Sequence, residues 1–523
     1  MNQSRRDPSV IIVGAGMTGI LMAIRMREAG ISNVVILEKK DRIGGTWREN
    51  TYPGIACDVP AHYYTYRFQP NPGWSHFFAP GHEIQRYFEG VVTDHGLHDI
   101  VRLNEAVTDA RYKDGQWTVK TSRRKTYVAD FFIAATGILH HPAWPDIKGL
   151  RNFGGALFHT AEWNHEVNFG PGVRVGVIGN GSTAAQCVPQ LVNTGADVSV
   201  FMRTPQWIAY VPDFKYPRWL LALFQKSRSL VALQRWIGRT TMLFFNAATA
   251  GVQPYRLMVE WICKLSLRFG VKDRELRERL RPDYRVGCKR VVINGTFYDS
   301  LQKPNAHVIQ DGIERVTKKG VVTKDGQLHE FDVLVCSTGF HPFYFMRPMN
   351  LKGRDGLHVD TAWKDRIDVY NSVLSPGFPN MFLMLGPYTP VSNFSVIAMS
   401  ECQADYIMQL VDLWRENRFD AVEPKPEAVE RFREKVRHGL EGSAWSSGCS
   451  SWYLSDAGEP QVWPFTWRKY EQELKRPVLD DLVLERPGEK KPGGNVARNG
   501  RKPAPAKKKK KAAGKKRRVA ASV

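Results

Sequence analysis

Short apolar runs alternate with glycine-marked turns at the start of the chain. A β-branched run at residues 10–13 enters a turn whose three glycines have the spacing G-x-G-x-x-G, namely Gly14, Gly16 and Gly19. An apolar-periodic segment then reaches Gly30, and a second apolar run, residues 34–37, ends at Glu38. This order predicts a strand, a tight turn, a helix and a second strand.

The same pattern recurs later in the chain. An apolar run at residues 173–178 is followed by small residues at the same spacing, namely Gly179, Gly181 and Ala184. A helix-like segment then reaches Gly195, and a run at residues 198–202 ends at Arg203. The sequence therefore predicts an α/β protein with two Rossmann-like dinucleotide-binding domains.

Each of the two folds also ends in the same way, with an Asp-Gly hairpin turn, an apolar strand and a Thr-Gly turn. In the first fold these features are residues 114–115, 131–135 and 136–137. In the second fold they are residues 325–326, 331–337 and 338–339. This internal repetition supports two copies of one architecture.

A segment of a third type lies between Arg203 and the second Asp-Gly turn. Residues 211–286 are rich in Leu, Arg and Trp and lack strand alternation, so they predict a helical insertion. Aromatic residues gather in it, among them Trp219, Trp236, Phe244 and Phe245. We interpret them as core packing, with a hydrophobic substrate site or a membrane-surface patch as the alternatives.

The net charge of +22 is concentrated at the C-terminus. Residues 486–523 contain 15 Lys or Arg and one acidic residue, a net +14, which leaves +8 for residues 1–485. Because this segment is mostly Lys, Ala, Pro and Gly, we predict a disordered basic tail. Such a tail can bind nucleic acid or anionic lipid weakly, and a solubilising terminus without a partner is the alternative.

Seven cysteines are scattered without a C-x-x-C pair, at Cys57, Cys187, Cys263, Cys288, Cys336, Cys402 and Cys449. Their odd number and wide spacing indicate neither a disulfide framework nor a zinc site, which favours a cytoplasmic protein. No run of 18 apolar residues predicts a membrane-spanning helix. The start of the chain imitates a secretion signal, but glycines interrupt its apolar run and no small-x-small cleavage site follows.

The residue that closes the second strand selects the nucleotide at a G-x-G-x-x-G turn, where the helix N-terminus faces a pyrophosphate. Glu38 and Arg203 each lie 24 positions after the first glycine of their turn. A carboxylate accepts hydrogen bonds from ribose hydroxyls, whereas a guanidinium pairs with a 2′-phosphate. We therefore expect FAD at the first turn and NADPH at the second. The expected contacts are Gly14, Gly16, Gly19 and Glu38 for FAD, and Gly179, Gly181, Ser182, Thr183, Arg203 and Thr204 for NADPH.

Residues 153–163 read Phe-Gly-Gly-Ala-Leu-Phe-His-Thr-Ala-Glu-Trp. This segment resembles the fingerprint F-x-G-x-x-x-H-x-x-x-W of type I Baeyer–Villiger monooxygenases, and the resemblance extends from residue 10 to about 470. Related enzymes that oxidise nitrogen or sulfur usually have Tyr or Phe at the last position, so Trp163 favours the ketone-oxidising branch. Asn164 departs from the family, which usually has Pro or Asp there. The resemblance implies that His159 couples the two nucleotide domains, with a satisfied linker histidine as the alternative.

Residues 44–58 also resemble the flavin loop of this family. Its paired glycines let the backbone pass close to a cofactor, Pro53 and Gly54 turn the chain, and Asp58 returns a carboxylate to the flavin. The flavin contacts that the resemblance implies are Gly45, Thr46, Trp47, Asp58 and Tyr64. The alternative is an ordinary loop whose aromatic residues belong to the core.

Residues 287–290, Gly-Cys-Lys-Arg, are similar to the family segment that carries the active-site arginine. By that resemblance Arg290 is the catalytic residue, Asp58 orients it, and Lys289 is a second contact to the 2′-phosphate. A basic strand edge is the alternative. Residues 379–387 and 393–395 resemble the return of the chain to the flavin domain.

The resemblance implies a flavoprotein that uses NADPH and O2 to convert a hydrophobic ketone to an ester or lactone through a flavin 4a-peroxide. A fixed guanidinium at Arg290 suits this chemistry, because it stabilises an oxygen anion without losing its proton. Oxygenation of amines or sulfides is the alternative. A flavin disulfide reductase would need a cysteine pair near the flavin, where Cys57 has no near partner. A nucleic-acid-binding protein would need a folded reading module besides the tail.

The sequence thus predicts the following division of the chain. Residues 1–145 and 371–485 form the FAD-binding domain, residues 146–210 and 287–370 the NADP-binding domain, residues 211–286 the helical insertion and residues 486–523 the tail.

Overall fold

Two parallel sheets of five strands each form the framework of the protein. The computed structural model describes residues 6–389, 393–441, 443–445, 453–454 and 460–486, so the predicted tail lies outside the described residues except for Arg486. The strands are β1 Val10–Val13, β2 Val34–Leu37, β3 Val101–Arg102, β4 Val107–Lys113, β5 Gln116–Thr121, β6 Thr126–Ala129, β7 Phe131–Ala134, β8 Ala156–His159, β9 Arg174–Ile178, β10 Asp197–Phe201, β11 Ile208–Ala209, β12 Val292–Ile293, β13 Ala306–Ile309, β14 Ile313–Val316, β15 Gly320–Thr323, β16 Leu328–Glu330, β17 Val333–Cys336, β18 Asn350–Lys352, β19 Met381–Leu383, β20 Ala421–Pro424 and β21 Leu482–Glu485. The α-helices are α1 Met17–Glu28, α2 Thr46–Glu49, α3 Gly81–Asp94, α4 Ser182–Asn193, α5 Arg218–Lys226, α6 Arg228–Thr249, α7 Tyr255–Gly270, α8 Arg274–Arg279, α9 Phe297–Ser300, α10 Val359–Ala362, α11 Val396–Arg415, α12 Pro426–Leu440 and α13 Trp467–Glu473.

The first sheet has the strand order β19-β7-β1-β2-β3. Val10 pairs with Val34 on one side and with Phe131 on the other. All four residues of β1 are buried, as expected for a parallel strand whose two faces are both covered. The predicted first and second strands are confirmed with the bounds that the sequence gives them, because each is an uninterrupted apolar run.

The second sheet, β13-β10-β9-β17-β8, repeats this arrangement. Its edge strand β8 is the central part of the segment at residues 153–163. A Cβ atom at Gly155 would lie 2.2 Å from the carbonyl oxygen of Asp332, so the approach of β8 to β17 requires glycine at this position. The glycine of the fingerprint is therefore explained by sheet packing.

Antiparallel strands form the two predicted hairpins. Asp114 and Gly115 have φ angles of 51° and 83° and join β4 to β5, and Gly326, with φ of 85°, lies between β15 and β16. These left-handed conformations are the ones that an Asp-Gly turn favours. Both Asp-Gly predictions are confirmed.

The chain returns to the first sheet after completing the second. Met381 of β19 pairs with Phe132 of β7, and Leu383 pairs with Ala134. Helix α11 then packs against α1. This return confirms the expectation drawn from residues 379–387, whereas the exact domain boundaries stay a prediction.

Helices α5 to α8 occupy the predicted insertion, with α6 packed against both α5 and α7. Phe245 is buried and Phe244 is half-buried. Trp219 and Trp236, however, are 66% and 61% exposed, so the interpretation of these two residues as core packing is wrong. They lie on the solvent-facing sides of α5 and α6, whose buried sides carry other apolar residues, among them Phe224 and Phe245.

Among the described residues, five cysteines have free thiols. Four of them are buried, namely Cys57, Cys187, Cys263 and Cys336, and Cys402 is half-buried. Cys288 is disulfide-bonded, which the scattered cysteines did not predict. In the part of the chain that the structure describes, no helix is both long enough and apolar enough to cross a membrane.

Candidate active site

The first glycine turn brings backbone N–H groups to the end of β1. Gly14 has a φ of 106°, and a Cβ atom there would lie 2.5 Å from the carbonyl oxygen of Ala135. Helix α1 begins after Gly16, and no side chain caps its first N–H groups. These N–H groups and the helix dipole favour an anion such as a pyrophosphate.

Glu38 lies beside this turn at the end of β2 and is 6% exposed. Its carboxylate accepts hydrogen bonds from the backbone N–H groups of Ala15, at 2.7 Å, and Lys40, at 2.9 Å. The carboxylate is therefore fixed next to the glycine turn. A carboxylate has more acceptor positions than these two bonds use, which fits the predicted contact with a ribose hydroxyl.

The segment at residues 44–58 folds against the same turn. The N–H group of Gly44 donates to the carbonyl of Ala15 at 2.9 Å, and a Cβ atom at Gly45 would lie 3.1 Å from Cα of Gly16. Thr46 begins the single turn α2, and Trp47 donates from Nε1 to the hydroxyl of Tyr64 at 3.1 Å. The structure thus brings Gly45, Trp47 and Tyr64, three of the predicted FAD contacts, to the N-terminus of α1.

The second glycine turn has the same local geometry. Gly179 has a φ of 112°, and a Cβ atom there would lie 2.3 Å from the carbonyl oxygen of Ser337. Helix α4 begins at Ser182 without a side-chain cap, Thr183 is its second residue, and a Cβ atom at Gly181 would meet nothing within 4 Å. The space in front of this helix is open to a second anion.

Two basic residues, Arg203 and Lys289, lie close to each other, and Arg203 follows the strand next to this turn. Arg203 is exposed and Lys289 is half-buried, and among the described residues neither forms an ion pair. Burial lowers the pKa of Lys289, the charge of Arg203 lowers it further, and Asp283 opposes this shift. The side chain of Asn180 donates to the carbonyl of Thr204 at 2.8 Å and so joins the turn to the strand end. Two neighbouring cations that form no ion pair within the described residues fit a phosphate.

Arg290 and Asp58 form an ion pair between two distant segments. Nε of Arg290 donates to Asp58 at 3.0 Å, and Nη2 donates to both carboxylate oxygens at 2.6 and 2.7 Å. The Arg290 side chain is 29% exposed and that of Asp58 is 15% exposed. Burial alone would lower the pKa of Arg290, but the charge of Asp58, with a smaller effect of Tyr453, raises it above its ordinary value. Arg290 is therefore a permanent cation.

Residues outside the predicted set hold these segments in place. Gln186 of α4 accepts from the hydroxyl of Tyr52 at 2.8 Å and donates to the carbonyl of Ala56 at 2.9 Å. Asn393 donates from Nδ2 to the carbonyl of Val291 at 3.0 Å. Sequence reasoning missed Gln186 and Tyr453, because an isolated amide or phenol has no spacing signal of its own, and it noted Asn393 only as part of the segment that returns to the flavin domain.

His159 is fully buried at the end of β8, next to Cys336 in the sheet register. Its Nδ1 accepts a hydrogen bond from the N–H group of Ala161 at 3.1 Å. Burial lowers the pKa of His159 to about 4, so the ring is neutral near pH 7. This environment agrees with a structural linker histidine, and its coupling role stays a prediction.

The two sites together fit two dinucleotides of different kinds. Each has an uncapped helix N-terminus at the carboxyl end of a parallel strand. The first has a buried carboxylate at the adjacent strand end, and the second has two cations. This pairing defines an oxidoreductase with two dinucleotide-binding folds.

Comparison with known proteins extends this result. Residues 11–235 match the family model described as pyridine nucleotide-disulphide oxidoreductase. An uncharacterized monooxygenase of Mycobacterium tuberculosis is 42% identical over 92% of this chain and 97% of its own length. A Baeyer–Villiger monooxygenase of Streptomyces coelicolor is 35% identical over 93% of this chain and 95% of its own length.

The fold also matches a crystal structure of cyclohexanone monooxygenase from Rhodococcus sp. Phi1 bound to NADP+. The TM-score is 0.79 at 26% identity, and the match covers 92% of this chain and 99% of that one. The 35% identity to the Streptomyces coelicolor enzyme over 93% of this chain decides the family. The chain belongs to the Baeyer–Villiger monooxygenase family of flavoproteins.

Proposed function

We propose that the protein uses NADPH and O2 to convert a hydrophobic ketone to an ester or lactone, with FAD at the first glycine turn and NADPH at the second. Family membership supports the flavin-dependent oxygenation. The observation that carries the ketone chemistry is the Arg290–Asp58 pair, because it presents a permanent cation in a partly enclosed site.

Arg290 has a defined task in this reaction. When bound, the two cofactors supply a hydride and the reducing equivalents that activate O2. The guanidinium stabilises negative charge that develops on oxygen during attack on the ketone carbonyl, and its raised pKa keeps it from giving up a proton. Asp58 engages Nε and Nη2 and so leaves Nη1 outside the pair, available to a reacting oxygen.

The cofactors are distinguished by the charges at the two strand ends. Glu38 holds its carboxylate beside the first turn, where it accepts from a ribose hydroxyl and would repel a 2′-phosphate. Arg203 and Lys289 bind the 2′-phosphate at the second turn, with Thr204 as a further donor. These assignments make NADPH the preferred reductant.

The variant Arg290→Ala tests the proposal. We expect NADPH to reduce the bound flavin at a rate near that of the wild type, whereas oxygenated product falls by about a hundredfold or more, the usual cost of losing one charge-stabilising donor. Stopped-flow absorbance measures flavin reduction, and chromatography of a panel of ketones, amines and sulfides measures product.

Arg285→Ala is the matched control, since Arg285 lies in the same segment and is exposed. It should retain product formation. Normal ester formation by Arg290→Ala would refute the assigned role, and product from amines or sulfides alone would refute the ketone specificity.

We also propose that the basic tail, residues 486–523, associates weakly with polyanions. Its net charge of +14 supports this, because such segments bind by releasing counterions. The last described strand, β21, ends at Glu485, so truncation after that residue leaves the strand complete. The truncated enzyme should keep its flavin and turnover but elute from heparin at a lower salt concentration than the full chain, and an unchanged elution would assign heparin binding to another surface.

A cytoplasmic location completes the proposal. The free thiols of the described residues support a reducing compartment. The disulfide at Cys288 favours an oxidising compartment, so the location needs a direct test. Fractionation of cells with an antibody to the protein would decide between cytosolic, peripheral-membrane and exported enzyme.

A further inference from the structure

The helical insertion presents large apolar side chains to solvent. Trp219 of α5, Trp236 of α6 and Trp261 of α7 are 66%, 61% and 65% exposed. Further exposed apolar residues of this segment are Phe214, Leu223, Leu233, Leu257, Met258 and Phe269. Within the described ranges, every exposed tryptophan and phenylalanine lies in this segment. We call the exposed apolar and basic residues of positions 210–270 the insertion face.

Helical spacing gathers these residues into rows. Trp219 and Leu223 are four positions apart on α5, and Leu233 and Trp236 are three positions apart on α6. Residues three or four apart share one side of a helix. Since α6 packs against both α5 and α7, these exposed residues lie on three neighbouring helices.

The same segment carries almost all the surplus charge of the enzyme body. Residues 210–270 contain nine Lys or Arg and two acidic residues, a net +7, whereas all of residues 1–485 amount to +8. The exposed basic residues are Lys215, Arg218, Lys226, Arg228, Arg239, Lys264 and Arg268. Of these, only Lys264 forms an ion pair within the described part of the chain. The remaining charges are available to an anionic partner.

We propose that the insertion face docks onto the surface of an anionic lipid bilayer. Tryptophan prefers the headgroup level of a bilayer, basic side chains are attracted to anionic headgroups, and the apolar rows gain from burial below them. A second copy of the chain is a poor occupant, because a symmetric contact would set a net +7 against a net +7.

An open apolar cavity of about 470 Å³ borders this face. Its lining includes Tyr210, Trp236, Ile237, Phe244, Phe245 and Ile262. The inner side of α6 approaches the catalytic segments, since a Cβ atom at Gly238 would lie 3.0 Å from Cβ of Tyr63, and one at Gly287 would lie 3.6 Å from Cα of Thr249. Docking would therefore place the cavity against the bilayer and α6 between the bilayer and the catalytic pair.

The test uses the full-length enzyme with bound FAD and vesicles of equal parts phosphatidylcholine and phosphatidylglycerol with brominated acyl chains. Binding is followed by cosedimentation and by quenching of tryptophan fluorescence in about 0.5 M sodium chloride, where attraction by the tail is largely screened. We expect quenching of the wild type. The triple variant W219A/W236A/W261A should bind the vesicles at least about tenfold more weakly, because it loses the apolar anchor.

The triple variant V128A/L328A/V478A is the matched control, because it removes three exposed apolar side chains outside the insertion face. It should bind like the wild type, and the flavin spectrum confirms that each variant is folded. Equal binding by W219A/W236A/W261A and the wild type would overturn the proposal, as would a wild type that binds only at low salt without quenching. If the wild type self-associates and W219A/W236A/W261A does not, the insertion face would instead be assigned to contact with a second copy of the chain.

Discussion

Gln186 clamps the loop that carries Asp58 through both atoms of its side-chain amide. Its Oε1 accepts from the hydroxyl of Tyr52 at 2.8 Å, while its Nε2 donates to the carbonyl of Ala56 at 2.9 Å. Gln186 belongs to α4 of the second nucleotide fold, and the loop belongs to the first. The position of Asp58 is therefore tied to the neighbouring fold.

Gln186→Ala should uncouple NADPH oxidation from product formation. Without the clamp the loop shifts, and small shifts of catalytic groups cost about tenfold to a hundredfold in rate. The ratio of ester formed to NADPH consumed measures this effect. Gln190→Ala, an exposed position on the same helix, should leave the ratio unchanged. An unchanged ratio in Gln186→Ala would mean that the clamp has no part in positioning Asp58.

Arg203→Ala should raise the KM for NADPH by about tenfold or more and leave the KM for NADH nearly unchanged. The reason is that only NADPH carries the 2′-phosphate, and a charge-assisted contact contributes about 1.5–3 kcal/mol. Steady-state kinetics with both nucleotides gives the comparison. Arg315→Ala, whose side chain is 43% exposed, serves as the control. Equal losses with both nucleotides would contradict the phosphate assignment.

Gly14→Ala should lose FAD and stability together. The new methyl group would lie 2.5 Å from the carbonyl oxygen of Ala135 in a backbone conformation with φ of 106°. Gly115→Ala has a φ of 83° but meets nothing within 4 Å, so it should cost about 1 kcal/mol and retain the flavin. Flavin absorbance and thermal unfolding separate the two effects. Retention of FAD by Gly14→Ala would show that the turn can relax.

Acid should destabilise the protein through His62. Burial lowers the pKa of His62 to about 4 from 6.5, and the ring is 2% exposed against Tyr216 and Phe224. On acidification the unfolded chain binds a proton at this histidine at a higher pH than the folded chain does. The contribution of neutral His62 to the free energy of unfolding is therefore complete above pH 6.5 and is lost as the pH falls toward 4. At pH 5 the loss is about 2 kcal/mol.

His62→Phe should therefore be less sensitive to acid than the wild type, because it keeps the apolar packing without the titrating ring. Denaturant unfolding at pH 7 and pH 5 measures the difference. His82→Phe is the control, since His82 is exposed. If His62→Phe and the wild type lose the same stability at pH 5, the acid sensitivity belongs to other groups. His140 and His159 are the next candidates, because burial lowers the pKa of each to about 4.

Local periodicity explains why so much of the fold was predictable. The strands Val10–Val13 and Val34–Leu37 are buried on both faces, so their sequences are continuous apolar runs with sharp ends. The first glycine of each glycine turn has an equally local cause, since its positive φ angle excludes most other residues. Arg290 and Asp58 were paired only through family resemblance, because 232 residues separate them.

What the sequence did not reveal depends on the assembled surface. When a helix carries apolar residues on two sides, its sequence does not indicate which side faces the core. Trp219 and Trp236 lie on the sides that face solvent. Gln186 and Tyr453 depend on contacts between distant segments. The disulfide at Cys288 was also missed, because the cysteines of the chain show no C-x-x-C pair that would indicate one.

The late return of the chain to the first sheet has a consequence for biosynthesis. Met381 completes that sheet beside Phe132, and it is translated 249 residues later than its partner. At a ribosomal rate of about 5–20 residues per second, β7 waits about 12–50 seconds for its neighbour. During that interval one edge of β7 lacks its strand, and chaperones that cover nascent β-edges can bind there.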